Sequence, residues 1–147
     1  MDVPAAEGLD LDTQDFTATV SFENFDIAPP GAEVQFDLTW IDGTDFRKVA
    51  IEMVKCCVGD PEGGILRTWS IPAAPGLDSD TLVPSGTFVV EKTGSDVTLS
   101  MEGVGGWTYT GVSGQVDLLT FALITPGSGL VQGHVDVTNY EFTLTDP

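Results

Sequence analysis

Apolar and polar positions alternate with a period of two along most of this chain, the spacing of strands with one buried face. Phe16, Ala18, Val20 and Phe22 fall on one side of a segment running from Asp15 to Ile27, and Thr17, Thr19 and Ser21 on the other. The phase slips near Asn24, where Phe25 and Ile27 take over the apolar role, as a bulge would produce. Pro29-Pro30-Gly31 then ends the run. A second strand pairs apolar Val34, Phe36, Leu38 and Trp40 against Gln35, Asp37, Thr39 and Ile41. Asp42-Gly43 signals a tight turn. The return strand, Phe46 to about Val58, sets Val49, Ile51 and Met53 against Lys48, Ala50 and Glu52. Helix formers between Arg47 and Lys55 compete with that reading, and the period and the preceding turn favour strand.

Gly59 to Gly64 reads as a turn, and Ile65 to Ile71 as a strand with Ile65, Arg67, Trp69 and Ile71 on one face. Pro72 to Ser79 reads as a surface loop. Thr87 to Met101 forms a hairpin about Gly94, followed by a short Trp107-Thr108-Tyr109 segment. Asp117 to Ile124 is nearly all apolar and is expected to be buried on both faces. Thr125 to Gly129 is a turn, and His134 to Leu144 closes the chain as a strand.

About eight to ten short strands with no credible helix imply an all-β fold, two antiparallel sheets packed face to face. Residues 1–13 lack periodicity and read as an extended N-terminal arm, and 14–147 as a single β-sandwich domain. The 147 residues suffice for a core without disulfide staples. Adjacent Cys56 and Cys57 point to opposite faces of a strand and are expected to remain thiols.

Charge narrows the function. With 23 acidic and 5 basic residues the net charge is −18, a surface that repels nucleic-acid phosphates and anionic lipid. Neither nucleic acid nor membrane insertion is expected. No stretch approaches the roughly 20 apolar residues of a spanning helix. The opening Met1-Asp2-Val3-Pro4 has no leader pattern, so a secreted form is expected to have lost one.

The ordered set of pieces resembles the concanavalin A-like lectin/glucanase superfamily. The residues that carry the likeness are Phe16-Thr17-Ala18-Thr19-Val20-Ser21-Phe22, the hairpin Phe88 to Leu99, Trp107, and the closing Val135-Asp136-Val137-Thr138-Asn139-Tyr140-Glu141-Phe142. The resemblance implies a jelly roll and a role in binding glycans, cleaving them, or building a structure. The catalytic branch of that superfamily carries a Glu-x-Asp-x-x-Glu or Glu-x-Asp-x-Glu strand, because retaining hydrolysis needs two carboxyl groups about 5 Å apart. Glu23-Asn24-Phe25-Asp26 has the wrong spacing, Asp78-Ser79-Asp80 lacks a Glu, and Glu91 and Glu102 stand alone. His134, the one histidine, has no nucleophile elbow beside it. The chain is therefore read as non-enzymatic.

Aromatic faces pack on sugar C–H surfaces, which makes Trp107, Tyr109 and Trp69, with Arg67 beside it, the ligand-binding candidates. Calcium is the one ion considered, with Asp42, Asp45, Asp78 and Asp80 as loop oxygen ligands, against the alternative that they are simply solvated. The expectation is an extracellular or surface module that recognises a glycan or a protein ligand. The alternative is a structural subunit at a virion or cell surface, self-associating through its N-terminal arm.

Overall fold

The computed structural model describes residues 1–25, 32–55, 65–124 and 134–145. Ten strands lie among them: β1 (Asp15–Glu23), β2 (Glu33–Asp42), β3 (Asp45–Val54), β4 (Ile65–Ile71), β5 (Asp78–Ser79), β6 (Gly86–Thr93), β7 (Asp96–Met101), β8 (Gly105–Tyr109), β9 (Gln115–Ile124) and β10 (Asp136–Thr145). They form two five-stranded sheets, ordered β10-β1-β6-β7-β8 and β5-β4-β3-β2-β9, with every pairing antiparallel. Cys56-Cys57 and the expected turns at Pro29, Gly59 and Thr125 fall outside the described residues.

The inner faces are those the alternation predicts. Phe16, Ala18, Val20, Phe22, Phe88 and Val90 of the first sheet meet Val34, Phe36, Leu38, Val49, Ile51 and Met53 of the second, all buried. Phe121 joins the layers, with ring centroids 5.8 Å from Phe22, 6.4 Å from Phe88 and 6.5 Å from Phe36. The slip expected near Asn24 is present. The β1–β10 register shifts between Ser21 and Phe22, Asn24 has φ 55°, and Phe25 is buried beyond it.

Three expectations need correction. The stretch Asp117 to Ile124 is not buried on both faces: in β9, Leu119 and Phe121 enter the core while Asp117 and Ile124 are exposed. The strand with both faces buried is β2, where outward-pointing Gln35, Asp37 and Thr39 are covered along with the inward Val34, Phe36 and Leu38. The loop after Ile71 is interrupted by β5, which pairs Asp78 with Arg67 and Ser79 with Leu66. The arm is not simply extended. It turns through a 3-10 helix at Pro4–Ala6, and Val3, Ala6, Leu9 and Leu11 join the core. Its backbone pairs with β9, Val3 N–H donating to Leu119 at 2.8 Å and Phe121 N–H to Met1 at 2.9 Å. The arm thus covers the outer edge of its own sheet, the kind of edge that otherwise recruits other chains.

Lys92 occupies an inward position on β6 and is 1% exposed. Its Nζ donates to the carbonyl of Gln14 at 2.7 Å and to Asp15 Oδ1 at 3.0 Å, which satisfies the buried ammonium. Those bonds, Lys92's first among them, hold the Asp15 carboxyl below its ordinary pKa.

Candidate functional site

Polar side chains that the core does not require gather on the outward face of the β5-β4-β3-β2-β9 sheet. Alternation along each strand decides which ones. When Val34, Phe36 and Leu38 point inward, Glu33, Gln35, Asp37 and Thr39 point outward. The same rule turns Lys48, Ala50 and Glu52 of β3 and Arg67, Trp69 and Ile71 of β4 to that side. Register then sets them in rows: Gln35 opposite Glu52 opposite Arg67, Asp37 opposite Ala50 opposite Trp69, and Thr39 opposite Lys48 opposite Ile71.

Within these rows the groups are tightly connected. Arg67 Nε donates to Oε1 of Glu52, a carboxylate with 2% of its side chain exposed. Burial, then the neighbouring Glu52 carboxyl, pushes the Glu33 carboxyl up to about 7. Gln35 Nε2 donates to Asp37 Oδ2 at 2.7 Å, and Lys48 Nζ stands 3.9 Å from the same oxygen. Burial raises the Asp37 pKa, opposed by that amide and by Lys48.

Trp69 is half-buried amid these groups, with Ala50 opposite it, the smallest side chain of the row. The Lys48 ammonium lies 5.0 Å from its ring centroid. Its indole Nε1 is a buried side-chain donor without a hydrogen-bond partner among the described residues. Toward the β2–β3 turn the face becomes apolar, with Ile41, Phe46 and Ile71 all exposed.

The other sequence candidates lie elsewhere. Trp69 and Arg67 share the face just described, whereas Trp107 and Tyr109 are on β8 of the opposite sheet. Trp107 is 38% exposed at the sandwich edge. Tyr109 is buried, and its hydroxyl donates to Thr68 Oγ1 at 3.1 Å, a bond between the two sheets. Asp42 and Asp45 face each other across the β2–β3 turn, and Asp45 stands 3.5 Å from Arg47. Asp78 and Asp80 sit at the far edge of the same sheet. No group of three or more histidine, cysteine or carboxylate side chains suited to a metal occurs among the described residues.

Glu33, Gln35, Asp37, Lys48 and Glu52 were missed as a site. A search for fixed carboxylate motifs passes over Glu33-x-Gln35-x-Asp37, and the partner strands that complete the cluster are distant in sequence. The signal was the run of polar residues at alternate positions of β2, Glu33-x-Gln35-x-Asp37-x-Thr39, with Lys48 and Glu52 on the paired β3.

The backbone is shared with proteins of known structure. Over 97% of both chains it superposes on a tetrameric galectin from Cinachyrella sp. (ball sponge), with a TM-score of 0.60 and 14% identity. An alginate lyase from Alteromonas sp.272 matches with a TM-score of 0.61 and 11% identity, over 95% of this chain and 75% of the lyase. A Bacillus licheniformis β-glucanase matches at 0.52 and 12%, over 89% of this chain and 65% of the enzyme. The fold is the concanavalin A-like jelly roll. No family model and no curated protein sequence matches the chain. Neighbours of this fold include both lectins and enzymes, so the backbone by itself does not divide binding from catalysis.

Proposed function

We propose that this protein is a glycan-binding module and that its ligand lies across the outward face of the β5-β4-β3-β2-β9 sheet, over Trp69. The observation that carries this reading is a half-buried tryptophan surrounded by Arg67, Lys48 and Glu52 on a face the core does not need. Sugar recognition requires this combination: an aromatic surface for C–H groups, and fixed donors and acceptors for hydroxyls. Arg67 is held by Glu52, so its remaining N–H groups are pre-aimed. Lys48 covers the indole in the free protein and must swing aside, its three donors then being available to ring hydroxyls. The galectin likeness supports the reading only as a fold used for such binding. On this reading the module works at an extracellular or cell surface, where glycans are displayed.

A glycan array followed by titration of the best ligand, on wild type and Trp69→Ala, tests this. Binding that is lost in the variant supports the proposal, and release of reducing ends from bound oligosaccharide would turn the same face into a catalytic one. Failure to bind any glycan would overturn it.

A second reading, self-assembly, is favoured by β10. This ten-residue strand is the end strand of its sheet among the described residues, with Val137, Tyr140 and Leu144 exposed. Light scattering over a concentration series decides it, with a constant monomer mass as the opposing result.

A further inference from the structure

At one end of the sandwich, where the β2–β3 turn approaches β8, lies a cavity of about 230 Å³. Trp40 and Tyr109 line it with aromatic rings, Arg47 supplies a cation, and Asp42 and Ser70 supply oxygen. This volume is below the roughly 300 Å³ at which pockets for drug-sized ligands begin, which suits one sugar ring rather than a chain. Lys48, next to Arg47, belongs to the Trp69 face, so the cavity adjoins one end of that face.

The chain has 5 basic residues against 23 acidic ones, and one of the five, Arg47, lines this cavity from the inward side of β3, while the ammonium of adjacent Lys48 is turned to Trp69 and Asp37 on the outward face. Arg47 is not tightly engaged by a carboxylate. Its Nη2 stands 3.5 Å from Asp45 Oδ2. That separation exceeds the 2.7–2.9 Å of a charge-assisted hydrogen bond. The Arg47–Asp45 contact is at the surface, where such pairs contribute little and exchange readily. A guanidinium free to form a bidentate fork beside an aromatic wall is suited to a carboxylate on a small ring. The hydroxyl of Ser70 donates to the Pro72 carbonyl at 2.8 Å, which leaves its oxygen able to accept from a sugar hydroxyl.

We propose that this end cavity takes the carboxylate-bearing terminal residue of an acidic glycan, with Arg47 as the carboxylate fork. The inference rests on the glycan-binding reading above and names its ligand class: sugars ending in a uronic acid.

The test compares glucuronate with glucose, which differ only at the carboxylate carbon, by titration calorimetry and by backbone amide NMR. Glucuronate is expected to bind at least tenfold more tightly, to shift the Ser70 and Tyr109 amide resonances, and to lose its advantage in Arg47→Gln and at high salt. Equal affinities, or shifts confined to other residues, would overturn the proposal. The NMR arm uses wild-type protein and stands whether or not the variant folds. The two readings fail separately. If the cavity proposal is wrong and the face reading right, neutral oligosaccharides bind, Trp69→Ala abolishes binding, and Arg47→Gln changes nothing. If the face reading is wrong, glucuronate can still bind through Arg47, and lengthening the sugar adds no affinity.

Discussion

Arg67 and Glu52 face each other across β3 and β4, joined through Nε and Oε1, the cation half-exposed and the carboxylate almost wholly buried. The asymmetry decides what each substitution does. Removing Arg67 leaves an almost wholly buried carboxylate without the cation that pairs with it. Arg67→Ala is expected to destabilise the fold by about 2 kcal/mol, whereas Glu52→Gln, which leaves a cation that water can reach, should cost about half of that. Urea denaturation of both variants at neutral pH checks the order. Equal losses would contradict it.

Glu33 makes the same cluster pH-sensitive. Its carboxyl titrates near 7 in the folded protein, above its ordinary value of 4.5. A group whose folded pKa is raised binds more protons folded than unfolded, so its contribution is complete below about 4.5 and is lost as pH rises through about 7. Stability should therefore fall between pH 5 and 8, and Glu33→Gln should flatten that slope. Asp15, whose pKa is lowered through Lys92, acts at the other end: its contribution is lost as pH falls below its ordinary 3.8. Denaturation midpoints of wild type and Glu33→Gln at pH 5, 6, 7 and 8 measure the difference. Parallel curves would refute the raised Glu33 pKa.

Tyr109 and Trp107 separate structure from surface. Thr68 Oγ1 accepts from both the Tyr109 hydroxyl and Leu77 N–H, at 3.1 and 2.8 Å. Tyr109→Phe removes one of these and is expected to lower stability by about 1 kcal/mol. Trp107→Ala, at a partly exposed edge position, should leave ligand affinity on the Trp69 face unchanged. Thermal unfolding and titration of the two variants check both statements.

The architecture was legible because alternation and turn chemistry agreed along the chain. Phe16 to Phe22 and Val34 to Trp40 each carry an unbroken period and are strands of the fold, and Thr87 to Met101 is a hairpin of two strands, β6 and β7. The site was only half-legible. Trp69 and Arg67 lie two apart on one strand, so their shared face could be read locally. Their neighbours could not. Glu52 meets Arg67, and Lys48 meets Trp69, through register between strands, and Glu33 meets Glu52 across a segment of nearly twenty residues, about the scale at which sequence spacing stops implying contact. The burial of Gln35 and Asp37 was hidden for a related reason. An outward polar residue normally signals solvent, and here Gln35 and Asp37 partner one another, with Lys48 of the neighbouring strand near Asp37. Lys92 sits in phase with Phe88 and Val90, and only the fold brings Gln14 and Asp15 over to satisfy it.

The central claim, that the Trp69 face binds a glycan, is tested most directly by titrating the best array ligand into wild type and Trp69→Ala. The account predicts saturable binding to wild type and a loss of about 2 kcal/mol, roughly thirtyfold in affinity, in a variant that keeps its fold. Undiminished binding to a folded Trp69→Ala protein would contradict it.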